Sequence, residues 1–190
     1  WEGHEEINPG EIPTHFNPTA SYVKYFNVPE QMQGKRLFIS FQGAESGLAL
    51  WLNGKFVGYS EDSFTPSEFE LTEYVKEGEN KLAAQVFKWT ASSWCEDQDF
   101  YRFSGIYRDV YLYTVPEVHV NDLRIRAIPD VSLASADFEL TTKTWGKGQL
   151  KIVLSKEDNV LLEDVKEISD EDTFSWKVDA PVLWSAEDPQ

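Results

Sequence analysis

The chain has 190 residues, of which 41% are hydrophobic, 14% aromatic and 26% charged, enough apolar material for one large or two small cores and too much for a disordered chain. Seventeen basic against 33 acidic side chains leave a net charge of −16, which repels a nucleic-acid backbone and suits a neutral or cationic ligand better than an anionic one. A single cysteine, Cys95, excludes an intrachain disulfide or a Cys-based zinc site and points to a reducing, cytoplasmic setting, and no apolar run nears the roughly 18 residues that span a bilayer.

Short alternating runs separated by turn residues predict an all-β chain. In order, strands are expected over residues 21–28, where Tyr22, Lys24 and Phe26 alternate with Val23, Tyr25 and Asn27, and over 35–42, where Leu37, Ile39 and Phe41 share a face. Residues 48–52 and 55–59 flank Asn53-Gly54, the strongest hairpin signal, because both central positions of a type I′ turn need positive φ. One helical turn is expected over 68–75, capped by Ser67, and further strands over 81–89 and 107–114. Trp51 and Trp89 fall in strand runs and read as core residues.

Pro116 cannot donate to a central ladder and marks a linker, so the domains are drawn as 1–116 and 117–190. The second holds five expected strands, 118–127, 136–144, 149–155, 160–165 and 173–178, a small sandwich short of a strand. Trp184 reads as one of its packing residues.

Chemistry concentrates in Cys95-Glu96-Asp97-Gln98-Asp99-Phe100-Tyr101-Arg102-Phe103. Three carboxylates in four positions, followed by aromatics and an arginine, suit a polar ligand or a cation better than they suit a fold. Taken by itself Asp99 is a loop carboxylate, Asn8 before Pro9 is a turn residue, and Glu96 and Asp97 are ion-pair partners for Arg102 or Arg108. Trp94 stands beside the run and can wall a sugar pocket, since an aromatic face offers apolar area to a pyranose. His4, His15 and His119 are too scattered in sequence for a metal site, and the acidic neighbours of Cys95 discourage a thiolate nucleophile.

In order and spacing, Asn17-Pro18-Thr19, Phe41-Gln42-Gly43-Ala44-Glu45-Ser46, Leu52-Asn53-Gly54-Lys55-Phe56-Val57-Gly58-Tyr59, Pro66-Ser67-Glu68-Phe69-Glu70-Leu71 and Gly78-Glu79-Asn80 resemble the sugar-binding domain of glycoside hydrolase family 2. Ser104-Gly105-Ile106-Tyr107-Arg108-Asp109-Val110 resembles the general family signature, and Glu96-Asp97-Gln98-Asp99 narrows the resemblance to its β-galactosidases, with β-glucuronidases as the nearest rival.

The resemblance implies a galactose-binding-like jelly-roll β-sandwich followed by an immunoglobulin-like β-sandwich lacking its last strand, the N-terminal part of a longer β-galactosidase. It implies that Asp99 binds galactosyl hydroxyls and a sodium ion, that Asn8 touches the substrate, and that magnesium binds elsewhere in the parent. The family pattern has an acidic residue near a magnesium ion where Ala91 or Ser92 stands here, which leaves that second metal site in doubt. Retaining hydrolysis needs two carboxyl groups about 5–5.5 Å apart. In this family both are glutamates of a separate downstream barrel, so no catalytic residue is expected in this chain, which partners that barrel in a homo-oligomer. A free-standing carbohydrate-binding module and a structural domain at subunit contacts are the alternatives.

Overall fold

The structure, a computed structural model, describes residues 7–96, 100–156 and 158–189. The chain divides into two compact units, Trp1–Val115 and Pro116–Gln190.

The first unit is a jelly-roll sandwich. One sheet has the order β1-β7-β4-β5, from β1 (Thr19–Asn27), β4 (Gly47–Leu52), β5 (Lys55–Ser60) and β7 (Glu79–Phe87). The facing sheet, β6-β2-β9, is built from β2 (Leu37–Phe41), β6 (Ser67–Glu70) and β9 (Val110–Thr114). A two-residue ladder joins β3 (Ala44–Glu45) to β8 (Gly105–Ile106).

The period-two pattern fills the core as expected. Leu37, Ile39 and Phe41 of β2 face Leu48, Leu50 and Leu52 of β4 and Ala84 and Val86 of β7, all buried in one cluster with Leu71. Asn53 and Gly54 take φ of 53° and 81° between β4 and β5, the left-handed pair that a two-residue hairpin requires.

Three expectations change. Residues 68–75 do not form a helical turn: Ser67–Glu70 is strand β6, paired with β2, and only Leu71–Val75 curls back, with the Val75 N–H donating to the Leu71 carbonyl at 3.1 Å. Ser67 Oγ donates to Ser60 Oγ instead of capping. Backbone pairing along β2 outweighs a local cap worth about 1 kcal/mol. Trp89 is buried as expected, but Trp51 is only half-buried, packed edge-on to Phe56 at 5.5 Å.

In the second unit the five expected strands are three: β10 (His119–Pro129), β11 (Ser135–Lys156) and β12 (Asn159–Asp179), ordered β10-β11-β12. The expected breaks at 128–135 and 156–159 separate the strands, whereas those at 145–148 and 166–172 lie inside β11 and β12. Apart from a one-residue shift at Leu154/Ser155 near the turn, the β11–β12 ladder breaks between Lys143↔Glu171 and Lys147↔Ser169, where Gly146 and Asp170 have φ of 81° and 59°. Paired left-handed residues let the long hairpin bend without ending. Phe138, Leu140, Phe174 and Trp176 on one side of the bend then pack with Leu150, Ile152 and Leu162 from the other, so one folded hairpin supplies both layers of a sandwich. Trp184, expected in this core, is 67% exposed; it follows β12 in a segment with no ladder to hold it inward.

Candidate functional site

The acidic run belongs to the connection between β7 and β8, residues 88–104. Both feet of that connection are held by one short segment. Glu45 pairs with Gly105 across the β3–β8 ladder, Gly47 pairs with Phe87, and between them the Ser46 N–H donates to the Phe87 carbonyl at 2.9 Å.

The ascending shoulder is fixed by hydroxyls. Thr90 Oγ1 lies 3.0 Å from Ser46 Oγ and 2.9 Å from Ser92 Oγ, and Ser93 Oγ donates to Ser46 Oγ at 3.3 Å while receiving the Thr90 N–H at 3.1 Å. The short helix α1 (Ser92–Cys95) starts on Glu61, whose Oε2 accepts the Ser92 N–H at 3.0 Å and whose carbonyl accepts Ser92 Oγ at 2.8 Å. Burial alone would raise the Glu61 carboxyl, but hydrogen bonds from Tyr59, Ser92 and Thr90 together outweigh it and hold Glu61 below the ordinary carboxylate range.

Glu96 ends this shoulder with both carboxylate oxygens committed, accepting the Ser63 N–H at 2.9 Å and Ser63 Oγ at 2.7 Å. Its expected arginine partner is replaced by a backbone amide and a hydroxyl, a pairing with two donors at fixed spacing. Arg108 donates to the Phe64 and Gln42 carbonyls at 3.0 and 3.3 Å, and Arg102 lies over the Trp89 ring, 5.3 Å from its centroid.

The descending shoulder returns to the same place. Phe100 packs on Phe64 with ring centroids 5.1 Å apart, Phe103 stacks on Tyr107 at 4.5 Å, and the Tyr107 hydroxyl donates to the Ser63 carbonyl. The described residues on either side of the acidic run are therefore anchored to two residues adjacent in sequence, Glu96 to Ser63 and Phe100 to Phe64. Asp97 and Asp99 themselves lie outside the described residues.

Asn8 and Trp94 meet through one turn. Asn8 Nδ2 and its N–H donate to Glu11 Oε2 at 3.1 and 3.0 Å, the Glu11 N–H returns to the Asn8 carbonyl at 3.0 Å, and Trp94 Nε1 donates to the Glu11 carbonyl at 2.7 Å. The turn carrying Asn8 is thus fastened to α1 at Trp94, two residues before the acidic run begins at Glu96. His15 is exposed, and His119 Nδ1 sits 2.7 Å from the Pro116 carbonyl; His4 lies outside the described residues.

Among the described residues no group of three or more His, Cys, Asp or Glu side chains could hold a metal ion. By its chemistry a carboxylate is an oxygen donor that suits a hard cation. A cavity of about 480 Å³ between the sheets is lined by Tyr22, Phe26, Ile39, Phe41, Ala84 and Leu112. It offers sugar hydroxyls few partners and is a gap in the sandwich core rather than a sugar site.

Glu45, Lys88, Ser46, Glu61 and Ser63 build this loop and carry no local sequence signal. Apart from Lys88 with Phe103, their partnerships span 31 to 47 positions, beyond the reach of any pattern within a window.

Jelly-roll sandwiches serve many functions, carbohydrate binding among them. Residues 5–116 match the sugar-binding domain of glycosyl hydrolases family 2, and the chain is a member of that family. It is 51% identical over 195 residues to a β-galactosidase of Halalkalibacterium halodurans, covering 100% of this chain and 19% of that protein. It is 47% identical over 193 residues to a β-galactosidase of Clostridium acetobutylicum, covering 100% of this chain and 22% of that protein. The chain thus spans about a fifth of the length of these curated relatives. β-Glucuronidase 3 of Bacteroides uniformis superposes with a TM-score of 0.73 over 91% of this chain and 24% of its own, at 18% identity, a likeness of fold.

Proposed function

We propose that this chain is the non-catalytic N-terminal part of a retaining β-galactosidase that cleaves terminal β-D-galactosides such as lactose. The observation that carries the reading is 51% identity along the whole chain to a β-galactosidase. Asp99 and Asn8 contact the galactosyl hydroxyls, Trp94 walls the pocket, and Asp99 contributes an oxygen to sodium; magnesium binds elsewhere in the parent. Sodium, when bound, supplies a fixed positive charge beside the sugar oxygens. This chain's own work is orientation: a carboxylate accepts from sugar hydroxyls and an amide both donates and accepts, which holds the anomeric carbon in line with the glutamates of a downstream barrel.

The chain alone is inert, because affinity for a small sugar comes from enclosing it and the two carboxyl groups of the reaction stand on the barrel. The parent is a cytoplasmic homo-oligomer. Among the described residues no helix is long and apolar enough to cross a membrane.

The test compares this chain with the longest natural gene product containing it, on aryl β-galactoside and aryl β-glucuronide. Galactoside turnover by the long form alone is expected. Turnover by this chain refutes the division of labour, glucuronide preference refutes the substrate, and activity by neither favours a free-standing binding module.

A further inference from the structure

We propose that Glu45 and Lys88 form a positioning pair that sets where the descending shoulder of the acidic loop lies, and so where Asp99 meets the sugar. The proposal rests on the galactosidase reading above and deepens it. Lys88 Nζ sits between two acceptors, Glu45 Oε1 at 3.5 Å and the Phe103 carbonyl at 2.5 Å. Lys88 therefore ties a buried carboxylate to the backbone carbonyl of one loop residue, four positions after Asp99.

The pair is rigidly mounted. Glu45 lies on β3 opposite Gly105, within the segment that holds both feet of the loop. Lys88 lies over the Trp89 ring, 5.0 Å from its centroid, with Arg102 over the same ring at 5.3 Å. Trp89 is locked in turn by Asn17, whose Oδ1 accepts the Trp89 N–H and whose Nδ2 donates to the Trp89 carbonyl, both at 2.9 Å.

A fold-only role accounts poorly for the arrangement. Glu45 is 4% exposed, and its Oε2 has no hydrogen-bond partner among the described residues. Burial pushes its carboxyl above the ordinary range, against the pull of Lys88, Phe103 and Arg102. Burying such a pair returns little or no net stability, and an apolar pair of the same volume commonly does as well. What an apolar pair lacks is a donor for the Phe103 carbonyl.

The test uses the longest natural gene product carrying Lys88→Met alone and Lys88→Met with Glu45→Gln. The single variant leaves a buried carboxylate unpaired and lowers the thermal midpoint; the double variant recovers it. Both lose the Phe103 contact, so both raise KM for aryl β-galactoside and the sodium concentration for half-maximal activity by about tenfold or more, and both speed amide exchange at residues 97–103. A double variant with native KM, native sodium response and native exchange at 97–103 overturns the proposal and leaves the galactosidase reading standing. Absence of galactoside turnover in the unmodified product overturns that reading, and unchanged exchange at 97–103 still overturns the pairing by itself.

Discussion

Glu96 decides the position of its neighbours through two oxygens. Both are spent on Ser63, at 2.9 and 2.7 Å, so the acidic run leaves α1 from a fixed point. Ser63→Ala removes the hydroxyl donor and keeps the amide. The long gene product should lose about 1 kcal/mol of stability, read by denaturant titration, and its galactoside KM should rise severalfold; an unchanged KM means the tie is structural only. That an acidic loop exists was legible in Glu96-Asp97-Gln98-Asp99. Its mooring was not, because charge alone suggests Arg102 or Arg108 as partners, whereas the fold brings a serine 33 positions away. Tyr113 gives a separate handle on pH. Burial, then the hydrogen bond to Glu68 at 3.0 Å, pushes its hydroxyl from 10.0 up to about 12. A phenol raised on folding stabilises fully below its unfolded pKa and loses that contribution as pH climbs through the folded value. The thermal midpoint should therefore fall between about pH 10 and about 12, and Tyr113→Phe should flatten that fall. An equal slope in the variant contradicts the assignment.

Elements were read best where the chain itself fixes the backbone. Asn53-Gly54 announced its hairpin of β4 and β5, and period two announced β2, because those signals are local. The merger of four expected strands into β11 and β12 was hidden, since Gly146 and Asp170 look like strand ends until the ladder on both sides shows a bend. Strand β6 was misread for a related reason: Ser67 followed by Glu68 suits a cap, and only pairing with β2 reveals the strand. The hairpin also carries a tie the sequence did not show. Asn80 is fully buried; its Oδ1 accepts from Asn53 Nδ2 at 2.8 Å and the Lys76 N–H at 2.9 Å, while its Nδ2 donates to the Lys76 and Gly78 carbonyls at 3.0 Å. One amide thus joins the β4–β5 turn to the approach to β7. Asn80→Ala strands several polar groups and should cost about 3 kcal/mol, measured by denaturant unfolding. A loss under about 1 kcal/mol means water replaces the amide and the tie is not structural.

At the scale of the whole molecule, the first unit presents a loop whose shoulders close on consecutive residues, Ser63 and Phe64, and the second is a sandwich made from one bent hairpin. The fold class was legible because alternation and turn chemistry dominate the sequence. The family was legible because its motifs keep their order along the chain, and residues 5–116 match its sugar-binding domain. The chain spans about a fifth of the length of its curated relatives, and in the function proposed above Asp99 is the point at which it enters the chemistry of the longer protein. The most direct measurement is therefore aryl β-galactoside hydrolysis by the longest natural gene product, native and Asp99→Ala, across a range of sodium concentrations. The account predicts a loss of about a hundredfold or more in kcat/KM and no remaining sodium stimulation; full activity with an unchanged sodium response contradicts it.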